Sequence, residues 1–184
     1  GEGAASFIIE SLDSALKRNA RIRAEIIGFG LASDGYHVTE PEPNGEGAFL
    51  AMQEAFQDSG LEVNAIDYIN AHATSTPLGD KTEVIAMERV FGERLSSAWV
   101  SSTKSLTGHA CGAAGAMEAA FCSLMLDSGF LPPAFNLENI PAEFRFKSPG
   151  REELQFQPKI VMNNSFGFGG INTSMILARI EETR

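Results

Sequence analysis

The sequence predicts an α/β fold, a sheet that carries helices on both faces. Short apolar, β-branched runs alternate along the chain with segments whose apolar residues recur at helical spacing. Glycine or proline closes most of these segments. The helical ones are long enough to return the chain to a parallel neighbouring strand.

Taken in order, Ala4–Glu10 (AASFIIE) is short, apolar and β-branched and reads as a strand. Ser11–Arg18 reads as a short helix with Leu12, Ala15 and Leu16 on one face. Arg23–Leu31 (RAEIIGFGL) is a second strand ending in glycine, and 32–44 is a loop holding Asp34, Gly35, Pro41, Pro43 and Asn44. Gly45–Ser59 is helical, with Phe49, Met52 and Phe56 aligned and Gly60 as the stop. Asp67–Ala71 (DYINA) is a short buried strand. Asp80–Phe91 is the next helix, with Asp80 as its N-cap, Val84, Met87 and Phe91 apolar, and Gly92 as the stop. Strand Ala98–Ser102 follows, then a polar loop and a long helix from His109 to Ser128. Pro132, Pro133 and Pro141 mark an irregular crossing. Lys159–Asn163 and Thr173–Ile180 are the final strands, on either side of the glycine-rich stretch SFGFGGIN.

Apolar residues make up 43% and charged residues 21% of the chain, the composition of a folded globular protein. A net charge of -10 is a poor match to the phosphate backbone of nucleic acid. The basic cluster Lys17, Arg18, Arg21 and Arg23 lies at a helix end, where cations suit the dipole; its functional alternative is a docking patch for an acidic carrier protein. Cys111 and Cys122 form neither a disulfide framework nor a zinc pattern, so a reduced, cytoplasmic setting is expected. The longest apolar run, Ala110–Leu126, is short for a membrane span and is interrupted by Glu118, which makes it a core helix. The chain opens at Gly1 and enters an apolar segment at once. We therefore expect it to start partway through a longer protein.

In open α/β sheets chemistry collects at the carboxyl ends of strands, and three polar or glycine-rich loops lie there. The first, Asn70-Ala71-His72-Ala73-Thr74-Ser75-Thr76-Pro77, puts a histidine at a strand end, followed by three hydroxyl residues. The second, Lys104-Ser105-Leu106-Thr107-Gly108-His109, brings a lysine and a histidine to a helix N-terminus, a place suited to developing negative charge. The third, Asn164–Asn172, alternates phenylalanines with glycines, so main-chain N–H groups are free to turn toward a ligand. Neither this stretch nor Gly28-Phe29-Gly30 has the spacing of a dinucleotide-binding turn.

NAHATSTP, KSLTGH with Glu118 nine residues after His109, NSFGFGGIN, and SDGYHVTEP nearer the front together resemble the elongating β-ketoacyl-acyl-carrier-protein synthases. The likeness runs in order from Gly1 to about Arg179. It implies a thiolase-like fold, of which 1–184 would be the C-terminal half, with a mixed central sheet and helices on both faces. The half bearing the nucleophilic cysteine would be absent. The implied reaction is decarboxylative Claisen condensation of malonyl-carrier protein with an acyl-enzyme thioester in fatty-acid biosynthesis. It needs acyl carrier protein as partner, no cofactor beyond the carrier's phosphopantetheine, and a homodimeric parent.

The resemblance also implies roles. His72 and His109 would donate to the enolate oxygen, and Lys104 would orient and stabilise charge around His109 and Glu118. Thr74, Thr76 and Thr39 would hold the pantetheine arm. Phe166 and Phe168 would form a mobile gate, with the Phe168 amide in the acyl oxyanion hole. Some members hold a monovalent cation at residues matching Asn70, Glu118 and Asn172. Ala73 stands where the family has Gly, and Asn163 where many members have Ser. Cys111 is expected to pack rather than react, and His37 to be structural. Two alternatives stay open, a polyketide-synthase ketosynthase and a non-catalytic, chain-length-factor-like partner.

Overall fold

Buried residues alternate along the central strands, and the two sets they make belong to two different cores. In the computed structural model, which describes residues 1–142 and 144–180, the sheet has five strands in the order β1-β7-β6-β2-β3. These are β1 (Glu25–Ser33), β2 (Tyr68–Asn70), β3 (Trp99–Ser101), β6 (Ile160–Gly167) and β7 (Ile171–Ala178). The minor strands β4 (Phe130–Leu131) and β5 (Leu154–Gln155) pair only with each other. β1, β7 and β6 run antiparallel; β6, β2 and β3 run parallel. The sheet is mixed, as expected.

Ile69, Met162 and Ile176 point to one face, where helices α2 (Glu46–Ser59) and α3 (Pro77–Phe91) supply Met52, Phe56, Val84, Met87 and Phe91. Tyr68, Val161 and Leu177 point to the other, against Cys122, Met125 and Leu126 of α5 (Ala114–Ser128). The two remaining helices are short, α1 (Leu12–Lys17) and α4 (Lys104–Thr107). α2 lies almost on the backbone of β1. A Cβ at Gly30 would stand 2.0 Å from the Ala51 carbonyl oxygen, so Gly28-Phe29-Gly30 serves helix packing. No helix among the described residues is long and apolar enough to cross a membrane.

Several expectations need correction. Ala4–Glu10 is not a strand: it pairs with nothing among the described residues, and Ile8 and Ile9 are 88% and 75% exposed. The long helix begins at Ala114; His109 precedes it, separated by a single 3₁₀ turn at Cys111–Ala113. α3 starts at Pro77, whose fixed φ suits a first helical position, and Asp80 lies inside it. The stretch Asn164–Asn172 is mostly not a loop. It extends β6 and β7 into a hairpin whose tip is 168–170, with Gly169 and Gly170 at φ 82° and 73°. Cys111 is exposed rather than packed, while Cys122 is buried. In the basic cluster Arg18 pairs with Glu10, and Arg21 and Arg23 with Asp127.

Candidate active site

Strands β2, β3 and β6 are parallel, so their carboxyl ends open on one edge of the sheet and deliver three segments there. The loop after β2 carries His72. The turn of α4 after β3 carries Lys104 and leads to His109. β6 ends in Phe166. The rings of His72 and His109 meet edge to face, with centroids 5.5 Å apart and planes at 85°. Phe166 closes the third side, its ring centroid 5.7 Å from that of His72.

Burial first, then the nearby Lys104 ammonium and then His109, push the His72 imidazole down to about 3. Partial desolvation and then Lys104 lower His109 as well. Both rings are therefore neutral at pH 7. The cation responsible is itself buried: Lys104 is 8% exposed, and its Nζ donates to Glu118 Oε1. Burial raises the Glu118 carboxyl, and Lys104 acts against that rise. Glu118 Oε2 and His72 Nδ1 are buried without a hydrogen-bond partner among the described residues.

A residue that sequence reasoning passed over holds the first loop. The N–H groups of His72 and Ala73 donate to Glu83 Oε1 and Oε2 at 2.9 and 2.8 Å, and Asn164 Nδ2 approaches Oε1 at 3.4 Å. The signal was present, since Asp80 and Glu83 continue the Val84–Met87–Phe91 stripe of α3 toward its N-terminus, where a charged side chain needs a partner.

The other expected residues form the rim. Thr74 and Thr76 share a hydroxyl contact at 3.3 Å beside His72. Thr39 lies in an exposed loop that clasps the hairpin tip. There Gly169 N–H donates to Val38 O at 2.7 Å, Asp34 N–H to Gly170 O at 2.9 Å, and Asn172 Nδ2 to Asp34 Oδ1 at 2.7 Å. His37 is structural, its Nδ1 accepting from Thr39 and Glu40 N–H at 3.2 Å each. Phe168 stands at the tip, 79% exposed, apart from Phe166. The three residues implied for a cation are each bonded within the chain. The Asn70 amide is taken up by Asn163, Thr103 and Tyr68, and Glu118 by Lys104. Asn172 is turned to Asp34 and Gly170. Of that set's buried side-chain atoms, Glu118 Oε2 is left without a partner among the described residues, and no chemistry is routed through an ion.

The family model for the C-terminal domain of β-ketoacyl synthase matches residues 23–138, the stretch that holds both histidines and the Lys104–Glu118 pair. The chain belongs to the β-ketoacyl synthase family. It is 45% identical over 180 residues to the 3-oxoacyl-[acyl-carrier-protein] synthase 2 of Coxiella burnetii, which covers 98% of this chain and 44% of that protein. A β-ketoacyl synthase from Burkholderia phymatum superposes with a TM-score of 0.86 at 42% identity, over 94% of this chain and 41% of its own. A type II PKS ketosynthase in complex with its acyl-carrier protein superposes with a TM-score of 0.88 at 27% identity, over 93% and 42%. The fold is that of these ketosynthases. This β-ketoacyl synthase domain spans less than half the length of each of these relatives.

Proposed function

We propose that the chain is the C-terminal catalytic half of a 3-oxoacyl-acyl-carrier-protein synthase that elongates fatty acyl chains. The observation that carries this reading is the pair of neutral imidazoles in contact, set beside a buried lysine–carboxylate pair. In the reaction, the bond from malonyl carbon to carboxylate breaks and CO2 leaves. The electron pair stays as an enolate, whose carbon attacks the acyl thioester and expels the cysteine thiolate. The developing oxygen charge is best met by fixed donors in a water-poor site, and each neutral imidazole offers one N–H. Burial first, and then Lys104, whose charge Glu118 offsets, keep both rings from taking up a proton.

Neither cysteine of this chain suits the nucleophile's task. Burial raises the Cys122 thiol, and Cys111 is exposed to solvent. The thiolate belongs to residues outside this chain. Thr74 and Thr76 would receive the pantetheine arm, with Thr39 farther out. Phe166 and the Phe168 hairpin would gate the acyl end, with the Phe168 amide in the acyl oxyanion hole. The partner is acyl carrier protein, in keeping with the carrier bound to the PKS relative. The working protein is a cytoplasmic homodimer that needs no cofactor beyond the carrier's arm. The likeness to that PKS relative favours as second reading a polyketide ketosynthase with the same chemistry. A chain-length-factor-like partner would have no need of the two histidines.

In the longer protein, His72→Ala and His109→Ala should each lower malonyl decarboxylation by about 10²–10³ while acyl transfer to the cysteine partly survives. Loss of acyl transfer with decarboxylation spared would reverse the assigned roles. This chain alone should form no carbon–carbon bond from acyl and malonyl carrier protein.

A further inference from the structure

The loop that carries His72 is held against its own backbone preference. Ala73 and Ser75 both have positive φ, 25° and 65°, a region that side chains with a Cβ occupy only under strain. Two carboxylates, one turn apart on α3, supply what keeps the loop there. Asp80 Oδ1 accepts from Ser75 N–H at 3.0 Å, and the two oxygens of Glu83 accept from His72 and Ala73 N–H. Glu83 is 3% exposed, so water cannot take its place.

We propose that Glu83 is a proton-sensitive latch: ionised, it holds the His72 loop in its strained, working conformation, and protonated, it lets the loop loosen. A carboxylate accepts from both amides at once. A carboxylic acid turns one oxygen into an O–H donor, and at least one amide then loses its partner. Burial places the Glu83 carboxyl at about 7, so the switch falls in the physiological range. The groups that face it are few. The loop contributes the His72 and Ala73 amides, and α4 contributes Lys104, whose charge favours the ionised form. β6 offers only the neutral Asn164, and behind it α2 offers the Met52 thioether. His72 is already neutral near pH 7, where the Glu83 carboxyl changes its charge.

For catalysis the inference rests on reading His72 as a donor. Its test does not, because hydrogen exchange reads the loop in this chain without substrate. With a carboxyl near 7, the ionised fraction falls from about nine-tenths at pH 8 to about one-tenth at pH 6. After correction for intrinsic rates, the His72 and Ala73 amides should lose roughly tenfold protection over that interval, while β7 amides stay constant. Glu83→Gln should make the loop weakly protected and pH-independent. Ala73→Gly, by removing strain, should shrink the pH effect while leaving the latch in place. Equal wild-type protection at pH 8 and pH 6 would overturn the proposal, as would a wild-type pH profile in Glu83→Gln. Should Glu83→Gln fail to fold, the wild-type profile and Ala73→Gly decide the matter. A catalytically inert parent with the predicted exchange profile would sink the functional reading and leave the latch standing.

Discussion

At the scale of single residues, the site depends on charges placed where they cannot be screened. Lys104 and Glu118 have side chains 5% and 2% exposed and offset each other. Removing one partner strands the other, so Lys104→Met and Glu118→Leu should each destabilise the chain by about 3–5 kcal/mol. The double variant should recover most of that loss, which denaturant titration would show. If the singles were neutral, the pair would not be the buried charge balance described here. His72 adds a pH-dependent contribution. Its folded value lies below its unfolded value of 6.5, so the unfolded chain takes the proton first. The stability this confers is complete above pH 6.5 and is lost as pH falls toward 3, and His72→Gln should flatten that part of the stability curve.

At the scale of elements, close approach decides which residues are tolerated. The Cβ of Gly30→Ala would meet the α2 backbone at Ala51, and α2 must retreat from β1. Overpacking of this kind typically costs about 1–3 kcal/mol, measurable as a lower urea midpoint. A midpoint unchanged from wild type would mean that the helix has slack the structure does not show. The same contact shows where sequence pattern stops being informative. Periodicity located α2, α3 and the central strands because their buried stripes are continuous, and His72, Lys104 and His109 were legible because they sit where strands end. The pattern of Ala4–Glu10 suits a strand, but a strand also needs a neighbour, and local pattern carries no information about pairing. The hairpin at Phe166–Asn172 looked like a loop because its glycines mask an unbroken antiparallel ladder. Glu83 lies on the buried stripe of α3, which marks it as needing a partner, but a stripe does not say that the partners are the main-chain amides of another loop.

At the scale of the whole molecule, the apolar surface is divided unevenly. The inner face of α5 is buried, as Ala114, Ala119, Cys122, Met125 and Leu126 show, so the helix is less bare than its composition implies. Leu124 remains 47% exposed on its outer side, and Phe7, Ile8 and Ile9 are uncovered in the unpaired segment. A soluble monomer tolerates such patches poorly. The chain alone should self-associate and bind a hydrophobic dye, and Ile8→Lys with Ile9→Lys should reduce both. A dye-negative, monodisperse wild type would show that these side chains find cover within the chain. The sheet, its two loops and the buried lysine together serve one end, which is to keep two imidazoles neutral and in contact. An NMR titration of ring-labelled histidines, assigned by substitution, tests this most directly. His72 should stay neutral through pH 5 and titrate near 3, with His109 also below its ordinary value. A His72 ring that takes up its proton at or above pH 6.5 would be a cation near neutrality and would contradict the claim.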